Sequence, residues 1–397
     1  MRRWPSPSYT GTVIDTVSMR RSRDLPDDED ADVDFHERLA ALELAVVSDR
    51  LGIPELATTA ERRRSEWEHD ATHVREAAVA VDATGRDVGA WVVDVPVRDN
   101  LDTADVQVLD PPLSAVTDSE ADDLHAALLA DALATVRRHG RHVVFTHEVL
   151  KEVVGESLPP HVLEPVAGGP ADADLRFAVV WDLPAGSAIP ARSGSGAVSR
   201  SDRSVRRMTA AGFVPVQLER FSVLDLIDSG GTGDPHPSLR SVSWVDDAPV
   251  EWAAQLADLY SVFEATVPTG GASFDPEVWD VARLRAVEAT ARAAGVVRVV
   301  SAVAEGPRLL AFTVFEQTPG SPLVFQEHTV VRPEVRGLGL AAAVKRANAA
   351  HLRAVSPDAV TVCTWNAVEN PAMIAVNTAA GFRPWAFTVL WELRLDR

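Results

Sequence analysis

A seven-residue phrase occurs twice in the chain with one residue changed. TAAGFVP stands at residues 209–215 and TAAGFRP at 378–384. Each copy leads into an apolar-rich run typical of a β-strand, VQLERFSVLDL at 216–226 and WAFTVLWELRL at 385–395. We interpret the phrase as the end of a short helix, a glycine C-cap and the start of a strand. A repeat of this kind predicts a duplicated domain.

The elements predicted around the two phrases follow the same order. In the second half, Asp275 is the predicted N-cap of the second helix, with Pro276 at its first position. The predicted second-half elements are helices at 248–266 and 275–295, a hairpin at 296–317, a strand at 322–331, a helix at 338–355 and a strand at 359–365. The first-half elements are a helix at 34–51, a hairpin at 77–97, a strand at 102–110, a helix at 119–140 and a strand at 142–149. This order predicts an α+β fold of two tandem domains, each a mixed, mostly antiparallel sheet flanked by helices.

Composition changes mark the predicted domain boundaries. Residues 24–34 hold seven acids without a periodic pattern, which predicts a disordered acidic tail over residues 1–34. The glycine- and proline-rich segment SGGTGDPHPS predicts a linker over 229–240. The predicted domains are therefore 35–228 and 241–397.

The bulk composition restricts the classes of partner and ligand. The net charge of −20 argues against nucleic acid and anionic membranes and favours a cationic substrate. No apolar run is long enough for a membrane span, and the N-terminus lacks the apolar core of a signal peptide. The single cysteine, Cys363, excludes an internal disulfide and favours a cytoplasmic location. His69 and His73 are one helical turn apart without a third ligand, so we expect no metal site.

The segment HTVVRPEVRGLGLAAAVKRANAA at 328–350 carries the chemistry. A strand is predicted to end near Val331, and a helix to start after Gly339. Glycines allow a tight turn and close approach of a ligand to the backbone. The free N–H groups of a helix start attract phosphate oxygens, and Arg336 can add a charge-assisted hydrogen bond. The segment therefore predicts a phosphate-binding loop.

The loop also resembles that of a known family. Arg336 to Ala341, with the pattern Arg-x-x-Gly-x-Ala between a strand and a helix, is similar to the acyl-CoA pyrophosphate loop of GNAT-type N-acetyltransferases. NPAMIAVNTAAGF at 370–382 resembles the family's asparagine-led short helix, with Asn370 eleven residues before Gly381. VPTGG (267–271), QEHT (326–329) and TWNAVEN (364–370) resemble tandem GNAT proteins common in actinobacteria.

The resemblance implies an acyl-CoA-dependent N-acyltransferase. The implied co-substrate is acetyl-CoA or another acyl-CoA, without a metal, and the implied acceptor is a primary amine of a small molecule that attacks directly in a ternary complex. A homodimer stays open. The implied CoA-binding residues are Val330, Val331, Arg336, Gly337, Leu338, Gly339, Leu340, Ala341 and Asn370.

The catalytic residues are less completely specified. The family often places a base on the strand before the loop, where Glu327 is the first candidate and His328 the second. Alternation along a strand predicts that these two side chains face opposite sides of the sheet. Where the family often has a tyrosine acid, this chain has Asn377, so the acid is missing, replaced by water, or replaced by Asn377 as a hydrogen-bond donor. The alternative function is a non-catalytic acyl-CoA-binding or regulatory protein.

The first half lacks the phosphate-loop pattern. Aligning the strands that follow each loop sets SEADDL at 119–124 opposite RGLGLA, and this segment has neither glycine nor arginine. Its acids would repel a bound pyrophosphate. We therefore expect a degenerate first domain that binds no CoA and serves as a scaffold or as one wall of the acceptor pocket. A dinucleotide-binding reading of Gly337-x-Gly339-x-x-Ala342 is disfavoured, because RPEV separates the strand from the first glycine and the upstream elements are antiparallel hairpins.

Overall fold

The computed structural model describes residues 17–26, 28–112, 116–163, 175–226 and 239–396. Within these ranges the α-helices are α1 (Glu29–Arg50), α2 (Ala60–His69), α3 (Asp118–Arg138), α4 (Pro160–Leu163), α5 (Arg203–Ala210), α6 (Val250–Thr266), α7 (Val281–Ala293), α8 (Leu340–Val355) and α9 (Pro371–Ala379). The strands are β1 (Ser18–Arg21), β2 (His73–Val81), β3 (Asp87–Pro96), β4 (Thr103–Leu109), β5 (Val143–Leu150), β6 (Glu152–Val154), β7 (Ala178–Val180), β8 (Ala188–Pro190), β9 (Ala197–Ser199), β10 (Val214–Asp225), β11 (Arg240–Val245), β12 (Val297–Glu305), β13 (Arg308–Gln317), β14 (Leu323–Val331), β15 (Thr361–Ala367) and β16 (Arg383–Arg394).

One large sheet runs through both halves of the chain. Among the described residues, twelve strands join it in the order β1-β2-β3-β4-β5-β16-β10-β15-β14-β13-β12-β11. Each half contributes six strands to this sheet in the same order along the chain, so the order is symmetric about the central pair β16 and β10. The α+β class and the tandem arrangement are as predicted, and the two sheets are continuous with each other.

The two halves exchange their last strands. β10 ends the first half but pairs with β15 of the second, with Ser222 opposite Thr364. β16 ends the second half but pairs with β5 of the first, with Leu390 opposite His147. The two exchanged strands are antiparallel to each other at the centre of the sheet. The last strand of each half therefore extends the sheet of the other half, and neither half forms its complete set of strands from its own sequence.

The repeated phrase ends the helix before each exchanged strand. α5 and α9 both stop at the glycine of TAAGF, where Gly212 has φ 87° and Gly381 has φ 97°. The following aromatic N–H bonds back into the helix, from Phe213 to Met208 O at 3.0 Å and from Phe382 to Asn377 O at 2.9 Å. These bonds satisfy carbonyls that a helix end leaves free, and only glycine adopts this φ without strain.

Helices cover both faces of the sheet. In the first half, Leu39 of α1 packs with Val79 on one face and Leu128 of α3 packs with Ala80 on the other, as the alternation of a strand requires. The second half repeats this arrangement with α6 and α8 on opposite faces. Each fully buried leucine contributes about 1.5–3 kcal/mol of burial free energy.

The start of the chain differs from the predicted disordered tail. β1 pairs with β2, and α1 begins at Glu29 with Asp28 as its N-cap. The acids Glu29, Asp30 and Asp32 lie in the first turn, where the helix dipole favours negative charge. Part of the acidic run is thus a helix start, which corrects the prediction for the described residues up to 34. Residues 1–16 and 27, and most of the predicted linker, lie outside the described ranges.

The N-cap predicted at Asp275 is also wrong. α7 begins later, and Asp280 caps it by accepting a hydrogen bond from Arg283 N at 2.7 Å. The backbone of Asp275 is bonded to the side chain of Asn100 in the first half, as donor to Oδ1 at 2.6 Å and acceptor from Nδ2 at 3.2 Å. This contact between the halves fixes the segment before α7 outside the helix.

Candidate active site

The predicted phosphate loop forms a turn at the start of α8. Gly337 and Gly339 have φ of 82° and 75°, values that favour glycine. Gly339 is the N-cap of α8 and provides no side-chain cap, so the first helical N–H groups stay open to a ligand. A Cβ built at either glycine meets no described atom within 4 Å. The loop thus faces open space, as a site for a pyrophosphate requires.

Arg336 is held beside this helix start from two sides. Its Nε donates to Val331 O at 3.3 Å, and its NH2 group donates to Thr266 Oγ1 at 3.1 Å. The first contact ties the guanidinium to the end of β14 and the second to the end of α6. The side chain remains exposed, and within the described ranges its other N–H donors have no partner, so they can meet an anion.

β14 and β15 diverge beside the loop. Their parallel pairing covers only Leu323–Phe325 with Thr361–Cys363, and a hydrogen bond from Gln326 Nε2 to Thr364 Oγ1 follows at 3.1 Å. Beyond it, this edge of β14 is unpaired among the described strands. Arg332 N donates to Leu310 O on β13 at 2.9 Å. Because successive N–H groups alternate between strand edges, Val331 presents its N–H to the open edge and Val330 to β13.

A β-bulge changes the prediction for the two candidate bases. Thr329 pairs with Thr313 and Gln326 pairs with Phe315, so Glu327 and His328 together lie opposite one residue of β13. The extra residue interrupts the alternation. Both side chains lie on the face covered by α6, and the prediction that they face opposite sides of the sheet is wrong.

The surroundings of the two candidates differ. His328 makes edge contacts with the rings of Tyr260 and Phe263, at 5.0 and 4.7 Å between centroids. Burial and the charge of Arg298 lower the pKa of His328 to about 4, so the imidazole is neutral at pH 7.

Glu327 opens into a cleft. Glu327 keeps an exposed edge toward the cleft. The protein walls around it and the carboxylate of Glu316 raise its pKa to about 7, against the charges of Arg62 and Arg298. A carboxylate with this pKa is suited to accept a proton at neutral pH.

The cleft has a volume of about 710 Å³ and lies between the halves. Glu327, Phe325 and the β13–β14 connection form one side. The opposite side comes from the first half, from α1, the residues that connect it to α2, and Arg62 of α2. Arg62 NH1 donates to Thr318 Oγ1 at 3.1 Å and so joins the two sides. One wall of this cleft therefore belongs to the half without a phosphate loop.

The two predicted asparagines are engaged within the protein. Asn370 is the N-cap of α9 and accepts a hydrogen bond from Met373 N at 3.2 Å. Asn377 is 1% exposed, and its Nδ2 donates to Asn366 Oδ1 at 2.6 Å. Asn377 Oδ1 is buried and has no hydrogen-bond partner among the described residues. Their proposed roles toward CoA and its thiolate stay predictions.

The corresponding helix start in the first half is closed by its own side chains. α3 connects the parallel strands β4 and β5, as α8 connects β14 and β15. Thr117 and Glu120 form a capping box, in which Thr117 Oγ1 accepts from Glu120 N and Glu120 Oε2 accepts from Thr117 N. Arg203 of α5 pairs with Asp118 at 2.5 Å and with Asp122 at 2.7 Å.

Arg207, one turn along α5, completes this closure. It pairs with Asp122 and with Asp110, each at 2.5 Å. Burial opposes ionisation of Asp110, but His125, Arg50 and Arg207 hold its pKa below the usual range. Together these ion pairs set two arginines of α5 against the acids of the first turns of α3. Arg203 and Arg207 are four residues apart, a spacing that places both on one face of α5.

A buried lysine and several side chains from distant segments also lie near the site, and the sequence did not predict them. Lys345 of α8 is 3% exposed, and its Nζ has no hydrogen-bond partner among the described residues. The ammonium lies 5.9 Å from the ring centroid of Phe382. Contacts between segments distant in the sequence also bring three further side chains to the site, and local patterns do not predict them: Thr266, Asn366 and Arg62.

No group of three or more metal-ligating side chains occurs in the described ranges. None of the helices described there is long and apolar enough to cross a membrane.

Comparisons with known proteins identify the fold. A scan against protein-family models finds no match, and a search of curated proteins finds no relative. Among solved structures, the chain is similar to a tandem GNAT protein from the clavulanic acid biosynthesis pathway, with 20% identity and a TM-score of 0.65 over 96% of this chain and 99% of that one. It is also similar to a GCN5-related N-acetyltransferase from Sphaerobacter thermophilus, with 14% identity and a TM-score of 0.59 over 97% and 98%.

A third similar structure is the glucosamine N-acetyltransferase region of a fungal multi-domain β-N-acetylglucosaminidase. It shares 11% identity and a TM-score of 0.54 over 95% of this chain and 38% of that one. The chain thus has the tandem GNAT fold.

Proposed function

We propose that the protein is an acyl-CoA-dependent N-acyltransferase with one working centre, in the second half of the chain. The contrast between the two helix starts carries this proposal. The start of α8 is an uncapped glycine turn beside Arg336, whereas the start of α3 is capped by Glu120 and covered by Arg203 and Arg207. The proposed co-substrate is acetyl-CoA.

The residues of the second half would divide the work as follows. The N–H groups from Gly337 to Ala341 and the Arg336 guanidinium bind the pyrophosphate. The N–H of Val331, at the open edge of β14, is placed to polarise the thioester oxygen.

Glu327 takes a proton from the ammonium of a small-molecule primary amine, which makes the nitrogen nucleophilic. The C–N bond then forms as the C–S bond breaks. The amide nitrogen loses its second proton to solvent, and the departing thiolate takes a proton from water.

The second candidate function is a non-catalytic acyl-CoA-binding protein. The observation that favours it is Asn377. Its amide is buried and bonded to Asn366, and it stands at the position where the family often has a tyrosine acid. Because a thiolate is a tolerable leaving group, with a thiol pKa of about 8.5, the absence of an acid is compatible with turnover.

A thiol-release assay separates the two functions. Acetyl-CoA would be incubated with the full chain and a panel of primary amines, and free thiol and acylated product would be measured together. Multiple turnovers with at least one amine are expected. Saturable CoA binding without amine-dependent thiol release from any of a broad panel would favour the binding protein instead.

A further inference from the structure

The cleft that contains Glu327 has the size of a small-molecule site. Its volume of about 710 Å³ lies within the range of about 300–1,000 Å³ that is typical for such ligands. It opens beside the diverging strands, on the face where the bulge presents Glu327 and His328. The cleft is therefore the place where an acceptor amine would meet the base.

Carbon atoms dominate the wall that the first half contributes. Ala40, Ala41 and Leu44 of α1 and Leu56 of the following turn line it. Leu44 is 45% exposed, which is unusual for a leucine on a helix that packs against a sheet. Covering an exposed apolar side chain with an apolar ligand removes its surface from water, which favours binding.

The charges of the cleft favour a cation. Glu55 and Glu327 are its lining carboxylates, and Arg62 is its lining cation. Arg62 is engaged by Glu66, with Nε to Oε1 at 2.6 Å, and by Thr318. Arg62 therefore offsets the charge of Glu327 only in part, and Glu55 adds a second carboxylate, so the lining carries a small excess of negative charge that disfavours an added anion.

This wall is fixed to the second half. Trp385 of β16 donates from Nε1 to Leu51 O at 2.8 Å, and Leu56 packs in one cluster with Phe221 and Phe325. Thr58 N bonds to Glu43 of α1. Because both sides of the cleft are anchored, its shape is set before an acceptor binds, which allows it to select.

We propose that the acceptor is a primary amine on a compact apolar body without a carboxylate or phosphate, and that the first half selects it through Ala41, Leu44 and Leu56. This rests on the proposed function for the identity of the reaction. The half that lost its CoA site then supplies the specificity of the half that kept it.

Matched amines test the proposal. 2-Phenylethylamine would be compared with phenylalanine, which adds a carboxylate, and with glucosamine, which replaces the apolar body by hydroxyls. Thiol release by the full chain is expected to give a kcat/KM at least tenfold higher for 2-phenylethylamine than for either competitor. A higher value for phenylalanine or glucosamine overturns the proposal while leaving the acyltransfer reaction intact.

Two variants on α1 locate the selection. Leu44→Gln replaces an apolar lining residue, and Ser48→Gln introduces the same side chain one helical turn further along, at an exposed position outside the cleft. Leu44→Gln is expected to raise KM for 2-phenylethylamine about tenfold and to leave the KM for acetyl-CoA unchanged. Ser48→Gln is expected to change neither. Equal effects of both variants, or no effect of Leu44→Gln, overturn the role of this wall.

Binding calorimetry makes the proposal independent of turnover. One outcome is that 2-phenylethylamine binds the full chain, that Leu44→Gln lowers its affinity, and that no thiol is released. The cleft assignment then stands and the proposed reaction fails. If 2-phenylethylamine neither binds nor reacts, the proposed acceptor class is wrong.

Discussion

Glu327 and His328 are consecutive in the chain and lie on the same face of the sheet. The bulge in β14 sets both of them opposite the single residue Val314 of β13. Without the extra residue, only one of the two side chains would lie on this face of the sheet. The packing then separates them, because the His328 ring lies against Tyr260 and Phe263 while Glu327 lines the cleft.

This relationship predicts the pH dependence of the reaction. The pKa of Glu327 is raised to about 7, so the carboxyl is protonated below that pH and cannot accept a proton. In the unaltered protein, kcat/KM should rise as pH increases through about 7. Glu327→Gln should remove this limb and lower the rate at pH 7 by about 10²–10⁴. The measurement is kcat/KM between about pH 5.5 and 9.

His328→Gln is the control for this experiment. The pKa of His328 is lowered to about 4, so its titration lies below the measured range. The limb near pH 7 should therefore persist in this variant. If the limb disappears in His328→Gln and persists in Glu327→Gln, the base is His328.

A pair of glycines tests the phosphate loop. Gly339 at the start of α8 and Gly85 in the β2–β3 turn have φ of 75° and 84°, and a Cβ at either meets no described atom within 4 Å. Valine at each position should cost about 1–2 kcal/mol of backbone strain. Thermal unfolding should show comparable losses, while calorimetry shows that only Gly339→Val weakens acetyl-CoA binding, by at least tenfold. Normal binding by Gly339→Val would refute the loop assignment.

Asn377 and its partner Asn366 can be tested as a pair. Tyrosine at the buried Asn377 should cost about 1–3 kcal/mol through overpacking and weaken CoA binding. Asn377→Ala and Asn366→Ala each remove the same hydrogen bond, so we expect similar losses of Tm and no loss of kcat from either. A fall in kcat with Asn377→Ala alone, at unchanged CoA affinity, would give Asn377 a direct role toward the thiolate.

Lys345 should make stability depend on pH. Burial lowers its pKa well below the usual value, so unfolding takes up a proton at pH values below the unfolded pKa of about 10.4. Stability is then lost as pH falls and regained as it rises. Lys345→Met should therefore raise Tm at pH 7, and this gain should shrink toward pH 10.

The neighbouring exposed cation Arg346 supplies the control, since Arg346→Met removes a charge from the same helix without a burial change of this kind. A lower Tm for Lys345→Met than for Arg346→Met at pH 7 would mean that the buried ammonium has a stabilising partner.

Most elements of this fold were predictable from local patterns. The helix that became α8 and the glycine ends of α5 and α9 follow from residues within a few positions of each other. The exchange of β10 and β16 does not, because both strands are apolar and follow the same phrase. Either pairing buries similar side chains, and the choice depends on contacts distant in sequence.

In the site, too, some features follow from local sequence and others depend on contacts distant in the chain. The predicted phosphate loop is a local motif, and its glycine turn lies at the start of α8, as predicted. The bulge at Glu327 adds one residue relative to β13, which only the pairing of two strands reveals. Asp280 rather than Asp275 caps α7, because Asn100 of the other half binds the backbone of Asp275.

The number of CoA molecules bound per chain tests the central claim most directly. Calorimetric titration of acetyl-CoA into the full chain should give one site per chain, because the α3 start is closed by Glu120, Arg203 and Arg207. The same titration of Gly339→Val should show no site of comparable affinity. Two equivalent sites in the unaltered protein, or one undiminished site in Gly339→Val, would contradict the account.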